Sequence, residues 1–377
     1  MHIYRILPGA VVVLFMLIAF CPAPSSAESI RLPGLFAADD VLADMLQDAT
    51  LPTELRLAAT ASGESNVGSL WSLTDSGQSP RRFTGSQGKA DLQMGGWISL
   101  RSHDWLICYG QGMRERYSGN HDAAQLWIDL HADGQTQPRY APIVNSDRIA
   151  LSWYGIGRRA HFHAGTVSGQ GDLIVRALAA EDLLQRALIG DVAGDVFSGA
   201  LKIRDADAGV TGRGWSVDTR LSLSLNKRWR ARVTAEGLLG EITWTNLPVE
   251  DSYLTSPGVF TDVDGFLHQI GGVSGAAWRE NVTLNIVPSY RVELLADTRP
   301  AFLCGASNQR GEPIKPMLGI AWLPTPRQAL CLRLYPVEEA IEIGVFGPGW
   351  QLRIAGDEWI AGNPSDLNVT LAGTLGW

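Results

Sequence analysis

The amino-acid sequence predicts an all-β chain closed into a single antiparallel transmembrane β-barrel of roughly 14–18 strands, preceded by a short N-terminal helical segment. Three observations carry that expectation. Apolar and polar residues alternate with a period of two over much of the chain. Its connections fall into a tight class and a longer class that take turns along the sequence. The first residues have the pattern of an export leader.

The leader comes first. Arg5 precedes an apolar run from Ala10 to Phe20, and Pro24-Ser25-Ser26-Ala27 follows with small residues. This predicts a signal peptide over 1–27, cut after Ala27. The run is short for a membrane span. A lipid anchor at Cys21 is disfavoured by the bulky Phe20 before it. Beyond Ala27 no run of about 18 apolar residues occurs, which argues against a helical membrane protein. A hydrophobic fraction of 45% and a mean hydropathy of +0.01 would suit a soluble chain. They suit a membrane barrel equally, because only alternate residues then face lipid. The net charge of −8 disfavours a nucleic-acid partner, whose phosphates call for a basic surface.

Residues 28–53 follow, with a helix expected from Asp39 to Asp48 that either plugs the barrel or packs beneath it in the periplasm. The barrel itself is expected over 54–377, with no second domain. Its first hairpin is assigned to 54–61 and 66–74. Trp215, Val217, Thr219, Leu221, Leu223 and Leu225 share one face, and Ser216, Asp218, Arg220, Ser222 and Ser224 share the other. The chain turns at Asn226-Lys227 and returns with Trp229, Ala231, Val233 and Ala235 against Arg230, Arg232, Thr234 and Glu236. A soluble sandwich would put the apolar face in its core, whereas a barrel in lipid turns it outward. The last strand repeats the pattern: Leu367, Val369, Leu371, Gly373, Leu375 and Trp377 lie on one face.

Connection lengths favour the barrel. The tight set contains Gly157-Arg158, Asn226-Lys227, Asp297-Thr298-Arg299-Pro300, Pro324-Thr325-Pro326-Arg327 and Phe346-Gly347-Pro348-Gly349. The longer set is assigned to 133–147, 168–171, 206–213, 247–281, 307–314, 336–339 and 357–365. Residues 179–190 read as a short helix and 113–122 as a long turn, and both depart from the pattern. Cys108, Cys304 and Cys331 lie in strand-like segments without a C-x-x-C. They are read as small buried or lipid-facing side chains, not as a disulfide framework.

The terminal strand, ending on an aromatic residue, resembles that of Gram-negative outer-membrane proteins. That resemblance implies that Trp377 and Leu375 form a signal read by the barrel-assembly machinery. The stretch 214–248, a G-W-x-V-D strand, a hairpin and an I-x-W segment, is similar to the fatty-acid-transporter-like barrels and to related barrels of type IX secretion and conjugation. Residues 318–336 share its character. The resemblance implies an outer-membrane barrel in a superfamily that includes uptake of hydrophobic compounds.

Inward positions inferred from the alternation carry both signs of charge. Arg220, Arg230, Arg232, Arg291, Arg333 and Arg353 stand with Asp129, Asp218, Glu236, Glu293 and Glu342. Mixed signs predict a cross-linked interior, with a polar path as the alternative. A ring of one sign would have pointed to ion selectivity. His161 and His163 share a face near Ser152, but no third orienting group completes a hydrolytic site, so no enzyme is expected. Loop 247–281 holds Glu250, Asp251, Asp262 and Asp264 without the full spacing of a calcium loop. Its Tyr253, Phe260 and Phe266 suggest a lid over the mouth. No cofactor and no metal are expected. The expected partners are the lipid bilayer, the assembly machinery and a small hydrophobic ligand. The functional expectation is a passive route for small hydrophobic or amphipathic molecules. The alternatives are a closed structural barrel acting through partners and, last, an embedded hydrolase.

Overall fold

The computed structural model describes residues 29–30, 41–46, 52–67, 85–131, 139–193, 196–206, 209–226, 228–261, 267–309, 314–325, 327–357 and 366–376. The leader and Trp377 lie outside the described residues, as does most of the expected segment 66–74. Fourteen antiparallel strands close the barrel. They are β1 (Thr53–Ser65), β2 (Gln87–Ser102), β3 (Trp105–Asn120), β4 (Ile143–Ala164), β5 (Val167–Ala193), β6 in two pieces (Val196–Asp205 and Gly212–Ser224) and β7 (Trp229–Thr261). The circle continues with β8 in two pieces (Leu267–Ile286 and Ser289–Ala296), β9 (Ala301–Gln309), β10 (Lys315–Thr325), β11 (Gln328–Tyr335), β12 (Ala340–Gly347), β13 (Trp350–Gly356) and β14 (Asp366–Gly376). The seam is the ladder from Asp366↔Glu64 to Gly376↔Glu54, which joins β14 to β1.

Alternation sorts the side chains as a barrel in lipid requires. On β11, Leu330, Leu332 and Leu334 are exposed while Ala329, Cys331 and Arg333 are buried. Leu318, Ile341, Ile343, Val345 and Leu371 extend the outer belt, and Trp105, Trp229, Trp322 and Trp350 stand near its tight-turn edge. Among the described residues none covers this belt, and hydrocarbon is the medium that makes it favourable.

The interior is packed at the tight-turn end. α1 (Val41–Leu46) lies inside the barrel at the tight-turn end. Its Val41, Leu42 and Leu46 join Leu295, Leu303, Ala321, Cys331 and Phe346 in one apolar cluster. On the opposite side of the lumen, Trp97, Trp153 and Trp244 point inward with Leu151, Leu178, Ile242 and Leu284. Gly110 makes room for Trp153, whose ring would stand 2.2 Å from a Cβ there. α2 (His121–His131) follows β3 at the long-connection end.

Several connections differ from expectation. Residues 179–190 are not helical: they continue β5, because both edges of that segment find ladder partners, on β4 and on β6. An extra residue near Glu181 shifts the phase of the alternation there, which is why the sequence imitates a helix. The two pieces of β6, ending at Asp205 and resuming at Gly212, both pair with β5, so the expected connection 206–213 does not link two different strands, and 168–171 lie within β5. Gly157 and Arg158 sit inside β4, whose hairpin with β5 turns at 165–166. Residues 247–281 are largely a hairpin of β7 and β8, paired from Leu247↔Glu280 to Thr261↔Leu267, so no lid loop of that length exists. Residues 113–122 are the end of β3 and the start of α2. Cys108 and Cys331 are buried, Cys304 is exposed, and all three are free thiols.

Candidate functional site

A cavity of about 310 Å³ lies inside the barrel toward the long-connection end. Five of the charged residues singled out from the sequence, Glu236, Arg291, Glu293, Glu342 and Arg353, line it. Arg232 and Arg333 lie behind that lining, 2% and 0% exposed. The charges are matched at short range. Arg333 pairs with Glu342, whose other oxygen accepts the Tyr335 hydroxyl at 2.9 Å. Arg291 donates to Glu293 at 2.8 Å. Glu293 also accepts the Val41 backbone N–H at 3.2 Å, which ties the first turn of α1 to the barrel wall. Arg114 donates from Nε to Asp91 at 2.9 Å.

The remaining sequence candidates lie elsewhere. Arg220 and Asp218 are buried on β6, and Arg230 is half-buried on β7. Arg220 and Arg159 both clamp Asp172, the latter at 2.6 Å. Asp129 stands on α2, where it accepts Gln125 at 2.7 Å and the Tyr140 hydroxyl, so it belongs to the helix and not to a lumen strand. Leu375 is exposed on the outer face. His161 and His163 are exposed near the tight-turn end. Ser152 hydrogen-bonds Glu181 at 3.2 Å and lies roughly 36 Å from His163 along β4. No nucleophile–base pair therefore forms between them. Among the described residues no group of His, Cys, Asp or Glu is placed to hold a metal ion.

The wall beside the cavity is irregular. Between β7 and β6 the register jumps from Ala235↔Thr219 to Leu239↔Val217, so three residues of β7 oppose Asp218 alone. Between β7 and β8 it jumps from Glu236↔Ser289 to Glu241↔Asn285, and β8 itself is interrupted at 287–288. Gly237 takes φ +60° at the centre of this bulge, a conformation glycine accepts without steric cost. Its N–H donates to the Asp218 carboxylate at 2.7 Å. Asp218 is held in turn by Arg176 at 2.7 Å, and both side chains are fully buried. Gly237 and Val287 line the cavity, so the cavity meets the wall where its ladder is broken.

Sequence reasoning missed Asp172, Arg176, Lys315, Glu64, Glu338 and Asp366. Asp172 and Arg176 carried an inward phase that could have been read from β5. The other four stand at strand ends or in turns, where alternation gives no phase.

No family model and no curated protein matches the chain. Among solved structures it is similar to a deletion variant of the monoaromatic hydrocarbon channel TodX, at 9% identity and a TM-score of 0.46, over 87% of this chain and 91% of that one. The toluene transporter TodX of P. putida gives 10% identity and a TM-score of 0.43, with the same coverage of each chain. The translocator domain of autotransporter NalP from Neisseria meningitidis gives 8% and 0.30, over 87% of this chain and 89% of that one.

Proposed function

We propose that this chain is a passive, energy-independent conduit for small hydrophobic or amphipathic molecules in the outer membrane of a Gram-negative cell. One observation supports the reading above the others: the lumen cavity is closed beneath by α1 and by paired charges, yet it abuts a wall whose ladder is interrupted at Gly237 and Val287. A solute entering from the long-connection end meets a stopped floor and an imperfect side. The export leader over 1–27 and the role of Trp377 with Leu375 as an assembly signal belong to the same proposal.

The test staples the break. Glu236 and Ser289 are direct cross-strand partners beside it, and antiparallel partners have Cα separations that a disulfide spans. The Glu236→Cys/Ser289→Cys protein should take up a small hydrophobic probe in proteoliposomes when reduced and lose most of that uptake when oxidised. Wild-type protein that shows neither uptake nor conductance in a planar bilayer would remove the proposal. The occluded floor would then favour a closed barrel acting through partners, which co-purification should reveal.

A further inference from the structure

We infer that the cavity takes a hydroxyl-bearing amphiphile, a phenol or an alkanol in class, ahead of a hydrocarbon of the same shape. The inference rests on the conduit reading above and names the solute class that the same cavity favours. Its basis is one stretch of the lining. Asn368 of β14, Ser62 of β1 and Gln93 of β2 are direct cross-strand partners in succession, Asn368↔Ser62 and Ser62↔Gln93. Two residues nearer the tight-turn end, Thr370↔Thr60 forms the next row. All five residues line the cavity. Direct antiparallel partners share a face of the sheet, so the two rows make one continuous strip across three strands.

That strip is formally neutral and has hydrogen-bonding capacity to spare. Thr370 donates to the Asn368 carbonyl oxygen at 3.3 Å. The side chains of Thr60, Ser62 and Gln93 make no hydrogen bond among the described residues. The charged lining differs, because Asp91–Arg114, Glu293–Arg291 and Glu342–Arg333 are already joined. A solute hydroxyl both donates and accepts, which suits a wall of hydroxyls and amides. A hydrocarbon seated there would cover Ser62 and Gln93 and offer them no partner, and covering polar groups in that way costs free energy. A site that hydrogen-bonds a hydroxyl rejects the analogue lacking it more strongly than an apolar pocket rejects a change of size. Met317, Ala340 and Ala355, from β10, β12 and β13, add apolar lining for the rest of the solute. A volume of about 310 Å³ is roughly twice that of a cavity known to hold benzene, so one substituted ring fits.

The experiment uses the full barrel in nanodiscs of zwitterionic lipid, with empty nanodiscs as the blank for partition into the bilayer. 4-Ethylphenol and 4-ethyltoluene, which exchange a hydroxyl for a methyl group, are titrated calorimetrically at pH 7. The phenol should bind about tenfold more tightly than the hydrocarbon. A Thr60→Val/Ser62→Ala/Gln93→Met protein, shown to be folded by heat-modifiable gel mobility, should bring the ratio to about one by weakening the phenol alone. A wild-type ratio of one, or tighter binding of the hydrocarbon, overturns the inference and leaves the conduit standing. A wild-type preference that the triple variant keeps overturns it too, because the hydroxyl is then read elsewhere. Should the triple variant not fold, Ser62→Ala alone must still lower the ratio, and an unchanged ratio sinks the inference. Proteoliposome uptake of the same two solutes separates the two readings: equal uptake of both removes only the preference, whereas uptake of neither removes the conduit with it.

Discussion

Asp218 does two things at once. It neutralises Arg176 inside the wall and it accepts the N–H of Gly237, which would otherwise be an orphan donor at the bulge. Asp218→Ala therefore leaves a buried guanidinium and a buried amide without their acceptor. A loss of about 3–5 kcal/mol is expected, read as a shift in the urea midpoint of lipid refolding. Asp218→Asn keeps an acceptor and should cost less; equal losses would contradict the double role.

Strands were legible where the alternation kept its phase. Leu330, Leu332 and Leu334 announce an outward face on β11, and Arg333 between them announces the lumen. The same logic failed at Glu181, where one extra residue breaks the period, and at the expected connection 206–213, on either side of which the chain pairs with the same strand, β5. Bulges are set by cross-strand packing far away in sequence, and a single chain read locally does not display them. The seam stayed hidden for a related reason: Glu64 and Asp366 are neighbours only because the barrel closes. The in–out assignment has a direct check. Leu332→Arg puts a guanidinium into hydrocarbon and should cost about 2–4 kcal/mol if it lies near mid-membrane. Asn368→Arg faces the cavity and should cost far less. Similar losses in a lipid-refolding titration would invert the assignment.

The molecule as a whole is lopsided. β4, β5, β7 and the upper piece of β8 run for 22, 27, 33 and 20 residues, whereas β11, β12 and β13 run for 8, 8 and 7. The long strands exceed what a membrane crossing needs and carry the wall beyond the lipid belt. The short ones fall below it. Eight residues of antiparallel strand reach about 27 Å, and a tilt of about 40° reduces their height to roughly 20 Å. A typical outward apolar band is about 25 Å tall. The bilayer alongside β11–β13 must therefore thin, and lipids there pay a mismatch that lipids beside β4–β7 do not. Short-chain phosphatidylcholines relieve that strain. The barrel should refold faster and more completely in them than in long-chain lipids of the same head group. Lengthening β12 and β13 by a two-residue insertion in each should erase most of that difference. The sector of short strands would then be the part of the wall that tells the protein which membrane thickness suits it.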